Sequence, residues 1–421
     1  MQKIKNILKK LLKYFGPGFI TGSADNDPSG IGTYSIAGAQ YGLLMAWLMP
    51  FQLPLMFAIQ EMCARIGSAT GAGLAANMKR VFSKPFLLIA VSLLAFANII
   101  NIGANISIMA SCLQLLLGES ISINLNIIAI FITITIILMQ VFISYNVYSK
   151  ILLFLTIFLF SYVITAFMVT QNWVDILKFT FVPHIKFNKD FILVMAGVIG
   201  TTISPYLFFW QSSHEIEENS NNGDTGKSKK LIKKLIKKMR LDTFIGMFFS
   251  QLIALFIVIT CFETLHRNGI TQINTAYDAA VVLKPLAGQW AFLLFTAGII
   301  GAGFLGIPVL AGSCAYALSE VFNFKQSLAY KFKEAKFFYG VIAASTLIGL
   351  AINFIGINPM KALLYAAIIN CITAVPIIAF IIILANKKEI MGENKNGILS
   401  NTIGWFTFAI MLIISLLIIF L

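Results

Sequence analysis

The sequence predicts an all-α polytopic membrane protein of about eleven transmembrane helices, the first and the sixth of them broken. Three observations carry that prediction. Of 421 residues, 58% are hydrophobic and only 11% are charged, where a soluble chain has about a quarter of its residues charged. Apolar runs of about 20 residues, the length that crosses a bilayer, recur along the whole chain. Lys and Arg are unevenly shared between the connections. A mean hydropathy of +0.87 excludes a water-soluble enzyme, a disordered chain and a nucleic-acid-binding domain, so the net charge of +14 is read as topology. Cys63, Cys112, Cys261, Cys314 and Cys371 are scattered without CxxC spacing, which argues against a disulfide framework or a zinc site.

The runs fall at about 12–40, 43–66, 86–117, 124–147, 149–170, 190–218, 240–262, 288–321, 336–357, 361–385 and 401–421. The connections are short, so 1–421 reads as one transmembrane domain: a first repeat over about 12–170, a second over about 190–385 and an extra helix at 401–421. The basic segment 1–13 leads into a run carrying Asp25 and Asp27 without a small-residue cleavage site, so it reads as a first span and not as a cleaved signal. With the N-terminus in the cytoplasm, 25 of the 31 Lys and Arg fall inside. That bias predicts an N-terminus inside and a C-terminus outside, in the cell (plasma) membrane. The densest basic run is Lys227 to Arg240, with Leu231, Ile232, Leu235, Ile236 and Met239 at helical spacing. It reads as an amphipathic helix lying on the anionic inner leaflet.

The first, sixth and eighth runs are too long for one straight crossing. In the first, Gly22-Ser23-Ala24-Asp25-Asn26-Asp27-Pro28-Ser29-Gly30 places a proline where no N–H can bond back to Ala24. The helix should unwind there and free carbonyls, which is tolerated only where they line a cavity or find partners. In the sixth, Gly200-Thr201-Thr202-Ile203-Ser204-Pro205-Tyr206 repeats the pattern. A single proline kink would be unremarkable. Two at a spacing of five spans, one with aspartates inside the span, point to the substrate site of a secondary transporter.

At these residues the chain resembles the NRAMP family of divalent-metal transporters. Gly16-Pro17-Gly18-Phe19 leading to Asp27-Pro28 is similar to the family's first span. Ile59-Gln60-Glu61-Met62-Cys63-Ala64-Arg65-Ile66-Gly67, with Thr70-Gly71 and Leu74-Ala75, resembles its second-span exit, and 298–320 (GIIGAGFLGIPVLAGSCAYALSE) its eighth span. The resemblance covers most of the chain and implies a LeuT-type bundle of two inverted five-helix repeats. It also exposes departures. The family's metal-binding Asn of the first span is Gly30 here. Its sixth-span Met-Pro-His motif reads Ser204-Pro205-Tyr206, and a second histidine is Gln211. Acidic residues of its third span are absent among Asn98, Asn101 and Asn105, and for the tenth-span glutamine the nearest amide is Asn370.

Thioether sulfur favours softer transition metals, whereas carboxylate, carbonyl, hydroxyl and water oxygens suit magnesium, calcium or manganese. Losing the methionine and the asparagine should open space for a cation that keeps several waters, as magnesium does. Magnesium transporters related to the family likewise lack that methionine. The expected ligands are Asp27, with Asp25 or Asn26 nearby, the carbonyls of Ala24 and Thr201, and the Ser204 hydroxyl, with Gly30 beside them. Tyr206, Gln211, Asn105 and Asn370 are expected along the pathway. Proton coupling loses its obvious carriers. Asp27 also suits a helix cap. Asp25 fits a second ligand, a gate, a proton acceptor or a partner for a polar neighbour equally well. Glu61 and Arg65 read as an i,i+4 ion pair. His184, His214 and His266 sit at loops or span ends, outside any buried relay. No nucleophile motif indicates an enzyme, no resident cofactor is expected, and the partners are the transported ion and lipid, with a monomer as the expected unit. A carrier of an amino acid or small organic cation is the alternative on the same fold.

Overall fold

A computed structural model describes residues 16–117, 123–143, 156–170, 172–221 and 229–420. The basic segment 1–13, Lys150 with the start of the fifth run, and Lys227 lie outside the described residues. Throughout the described residues the secondary structure is helical. The elements that build the site are α1 (Pro17–Asp25), α2 (Pro28–Tyr41), α3 (Leu48–Thr70), α4 (Leu74–Val81), α5 (Lys84–Leu117), α6 (Leu125–Phe142), α7 (Phe160–Val169), α8 (Lys189–Thr202), α9 (Pro205–Asn221), α10 (Lys229–Thr264), α11 (Ala291–Phe322), α12 (Lys336–Ile352), α13 (Pro359–Asn386) and α14 (Ile398–Phe420). Among the described residues eight helical spans are long and apolar enough to cross a membrane. A ninth is gained if Pro28–Met45 and Leu48–Thr70, bent by 108°, count together, and Phe160–Val169 is shorter. Gly42, at a φ of 59° that L side chains rarely adopt, stands at that bend.

Packing orders the helices from centre to rim. In the apolar window of 189–220, 94% of residues are buried; in that of Ile398–Phe420 only 28% are. The broken sixth span is therefore the core, and α14 faces outward with Phe406, Ile413 and Phe420 exposed. Lipid tails are as apolar as leucine, so close backbone contact must hold such a bundle together. α1 lies on α10 where Gly22 meets Gly246: a Cβ on Gly22 would stand 2.2 Å from the Gly246 carbonyl. α2 packs on α8, α3 on α10, α5 on α11 and α6 on α12, so helices five spans apart in sequence are neighbours in space.

The eighth run is one continuous helix, α11, with Pro308 inside it. One expectation is corrected. The basic segment is not a separate surface helix: Lys229–Thr264 is one uninterrupted helix that continues into the span. Ile236 and Met239 pack against Ala64, so the apolar stripe serves helix packing. The five cysteines are buried and free.

Candidate functional site

The two breaks meet inside the bundle, and each arises from the same chemistry. Asn26 leaves the helical region (φ −85°, ψ 48°). Asp27 is extended (φ −70°, ψ 171°), and Pro28 begins α2 at its first turn, where a missing N–H costs nothing. Pro28 also leaves the Ala24 carbonyl without its helical donor. Tyr206, the first residue after Pro205, supplies one: its hydroxyl donates to Ala24 O at 3.2 Å. At the second break Pro205 orphans the Thr201 carbonyl in the same way. There the Ser204 hydroxyl donates to Thr201 O at 2.8 Å and to Gly200 O at 2.6 Å.

Asp27 is the N-cap of α2, accepting from the Gly30 N–H at 2.8 Å, and its other oxygen accepts from Asn105 Nδ2 at 2.9 Å. It is 1% exposed, and Asp25 and Asn26 are 0% exposed. A buried carboxylate costs several kcal/mol unless it is paired and hydrogen-bonded. Asp27 recovers part of that cost from two amide donors. Asp25 is less well served: Ser250 donates to one oxygen, and the other has no partner. The side-chain oxygens of Asn26, Asn101 and Asn105 are also buried without a donor, and Asn101 faces Asp27. The break thus gathers donor-free side-chain oxygens around two carboxylates, with Asn26 Nδ2 also unpartnered among them. Among the described residues no three His, Cys, Asp or Glu side chains gather into a cage.

The remaining predicted residues divide. Thr201 reaches the break: a Cβ on Gly30 would stand 3.5 Å from Thr201 Oγ1 and 2.9 Å from the Asp25 carbonyl. The space expected at Gly30 is therefore not open, because the Asp25 backbone fills it. Ser204 is turned back onto its own helix end. Asn370 is buried with neither amide atom partnered, on the helix whose Ala367 carbonyl abuts Gly200. Gln211 lies further along α9 and donates to Thr243 Oγ1 at 2.8 Å. The three third-span asparagines split their roles. Asn105 holds Asp27, whereas Asn98 donates to Leu310 O and Ser313 Oγ of α11 at 3.0 and 2.6 Å.

Three contributors escape sequence reasoning. Ser250 lies in an unremarkable FFSQ run. Gly306 lets α11 press on the break, since a Cβ there would stand 2.7 Å from Asp27 Cβ. Asp242 accepts from the N–H groups of Gly16 and Gly18 at 2.9 and 2.7 Å, capping α1 from α10. His214 corrects an expectation: it is 5% exposed, with its ring against Trp210 at 5.3 Å, because α9 stays buried well past Pro205. The Glu61–Arg65 pair forms at 2.9 Å, and Arg240 joins it at 2.7 Å.

A helical bundle whose two broken helices meet around buried carboxylates belongs to the class of membrane carriers with a central site. The family profile of the Nramp (natural resistance-associated macrophage protein-like) proteins matches residues 18–421, and the chain belongs to that family. It is 23% identical to the divalent metal cation transporter MntH of Caldanaerobacter subterraneus, covering 100% of this chain and 97% of that protein. It is 24% identical to the MntH of Clostridium acetobutylicum, covering 98% and 92%. Among solved structures, the Eremococcus coleocola manganese transporter matches with a TM-score of 0.79 at 15% identity over 98% of this chain and 87% of that one. Mhp1, a nucleobase-cation-symport-1 family transporter, matches at 0.60 and 12% over 96% and 90%. At such identities these two establish the fold, which is the LeuT-type bundle with broken first and sixth helices.

Proposed function

We propose that this protein carries a divalent metal cation into the cell, with magnesium preferred over manganese and without the proton carriers of its relatives. Asp27 and Asp25 hold the ion, Asn26, Asn101 and Asn105 turn amide oxygens or bound water toward it, and the Ala24 and Thr201 carbonyls are held in reserve. The observation that carries this reading is the surplus of buried, donor-free oxygens around the carboxylate pair. A cation supplies what those oxygens lack, and an anion would worsen it. Support for the cargo class comes from the family and from the names of the curated relatives. Support for a hard cation comes from the donor set, which at the breaks holds oxygen and no thioether or imidazole. The plasma membrane, with the N-terminus and the basic start of α10 on the cytoplasmic side, follows from the bias of Lys and Arg.

The test is uptake into proteoliposomes, with manganese as a tracer and magnesium followed by an internal indicator. Wild-type protein should take up both, with excess magnesium suppressing the manganese signal and amino acids leaving it unchanged. Asp27→Ala should fall to the level of empty liposomes. Wild-type-like uptake in that variant sinks the assignment, and competition by an amino acid instead of magnesium moves the protein to the organic-substrate class.

A further inference from the structure

The inner half of the bundle holds polar groups that the break does not use. Glu215 lies on α9, one turn beyond Gln211, and is 4% exposed with its Oε1 unpartnered. Gln211 is 0% exposed. Its Nε2 is engaged by Thr243, and its Oε1 has no partner. The Gln211 amide and the Asp242 carboxylate both face Glu215, as do Glu218 and Lys238. Asp242 itself is fixed by the N–H groups at the start of α1. The Glu215 and Asp242 carboxylates and the Gln211 amide, which also donates toward Glu215, therefore lie together where α9, α10 and α1 meet.

Their position relates them to the break. Ser250, which binds Asp25, and Thr243, which binds Gln211, are seven positions apart on α10, roughly 10 Å of helix rise. The cluster lies from the break toward the basic end of α10. Carboxylates sharing a buried volume repel unless cations join them. Lys238, exposed on α10, faces both and is one positive charge against Glu215, Asp242 and the nearby Glu218. A divalent ion leaving Asp25 and Asp27 would otherwise have to cross buried protein to reach the basic face.

We propose that Gln211, Glu215 and Asp242 form a second cation station, which receives the divalent ion released from the break before it leaves the protein. This rests on the transport reading above. The ion is handed over when the Tyr206–Ala24 contact between α9 and α1 opens. Glu215 is the removable member, since Asp242 also anchors α1.

The experiment counts manganese bound to the purified full-length chain by electron paramagnetic resonance in wild type, Asp27→Ala, Glu215→Gln and Glu215→Asp. The wild type should bind a tighter and a weaker ion. Asp27→Ala should lose the tighter one, Glu215→Gln the weaker one, and Glu215→Asp should recover it. In liposomes Glu215→Gln should keep KM and lose turnover several-fold, the pattern of impaired release and not of impaired capture. If Glu215→Gln retains every ion of the wild type, the station is overturned whatever Asp27→Ala does. If Glu215→Gln loses an ion and Asp27→Ala loses none, the station stands and the reading of Asp27 falls.

Discussion

The first break and the second are the same lesion with different repairs. Each has a proline that deprives the carbonyl four residues earlier of its donor, Ala24 in one and Thr201 in the other. The second break repairs itself: Ser204 swings back onto Thr201 and Gly200, and nothing charged is involved. The first is repaired from outside, Ala24 by Tyr206 and Asp27 by Asn105, and it leaves Asp25 and Asn26 with oxygens unmet. On the proposed reading the difference teaches that the two breaks do not share the ion equally: the first holds it, and the second supplies a latch through Tyr206. Sequence alone sets the breaks apart by the aspartates of the first, but not by the way each orphaned carbonyl is repaired.

The strongest way to break this comparison is to give the first half the residue its family carries. At Gly30 an asparagine would return a metal ligand, but its Cβ would stand 2.9 Å from the Asp25 carbonyl, a backbone atom that cannot yield cheaply. Overpacking of this kind costs about 1–3 kcal/mol, so Gly30→Asn should weaken manganese binding by about tenfold or more, measured by calorimetry on purified protein. Tighter binding would show that the break has room to widen and that the two halves are less specialised.

A smaller effect is expected at the second break. Ser204→Met removes a hydroxyl whose one proton is shared between the Thr201 and Gly200 carbonyls and places a thioether beside the ion path. That bond is worth about 1 kcal/mol, so the variant should unfold at a lower temperature. Where residue 204 faces the ion, cadmium uptake should rise relative to magnesium, since sulfur favours soft metals. An unchanged uptake ratio would mean that Ser204 serves the helix end alone, which sharpens the asymmetry.

How far the sequence could be read follows from the reach of its signals. Helix breaks are local: Asp27-Pro28 and Ser204-Pro205 declare them within two residues, as does the Asp27 cap. Prolines alone do not, for Pro54, Pro308 and Pro376 sit inside continuous helices. What differs is that Pro28 and Pro205 each follow a residue with a side chain able to take over a backbone bond. Partners across the bundle are not local. Ser250, Gly306 and Asp242 act on residues 16 to 27 from far along the chain, and nothing in their own neighbourhoods marks them. The basic run 227–240 misled for a related reason. Its apolar stripe fits a leaflet and fits α3 equally well, and only the position of Ala64 decides between them.

The finest test concerns the latch. Tyr206→Phe keeps the ring and deletes the one hydroxyl that meets the carbonyl orphaned by Pro28. A buried carbonyl left without a donor costs about 1–3 kcal/mol, so the variant should melt a few degrees below wild type in metal-free buffer. The reading of Ala24 as a reserve ligand then has a specific consequence. With magnesium saturating the break, the freed carbonyl can turn to the ion and recover part of that loss, so the gap between variant and wild type should narrow. A gap of equal size with and without magnesium would assign the Ala24 carbonyl wholly to the contact between the half-helices. The ion would then rest on the side chains of Asp25, Asn26 and Asp27, and the first half would differ from the second by its charge alone.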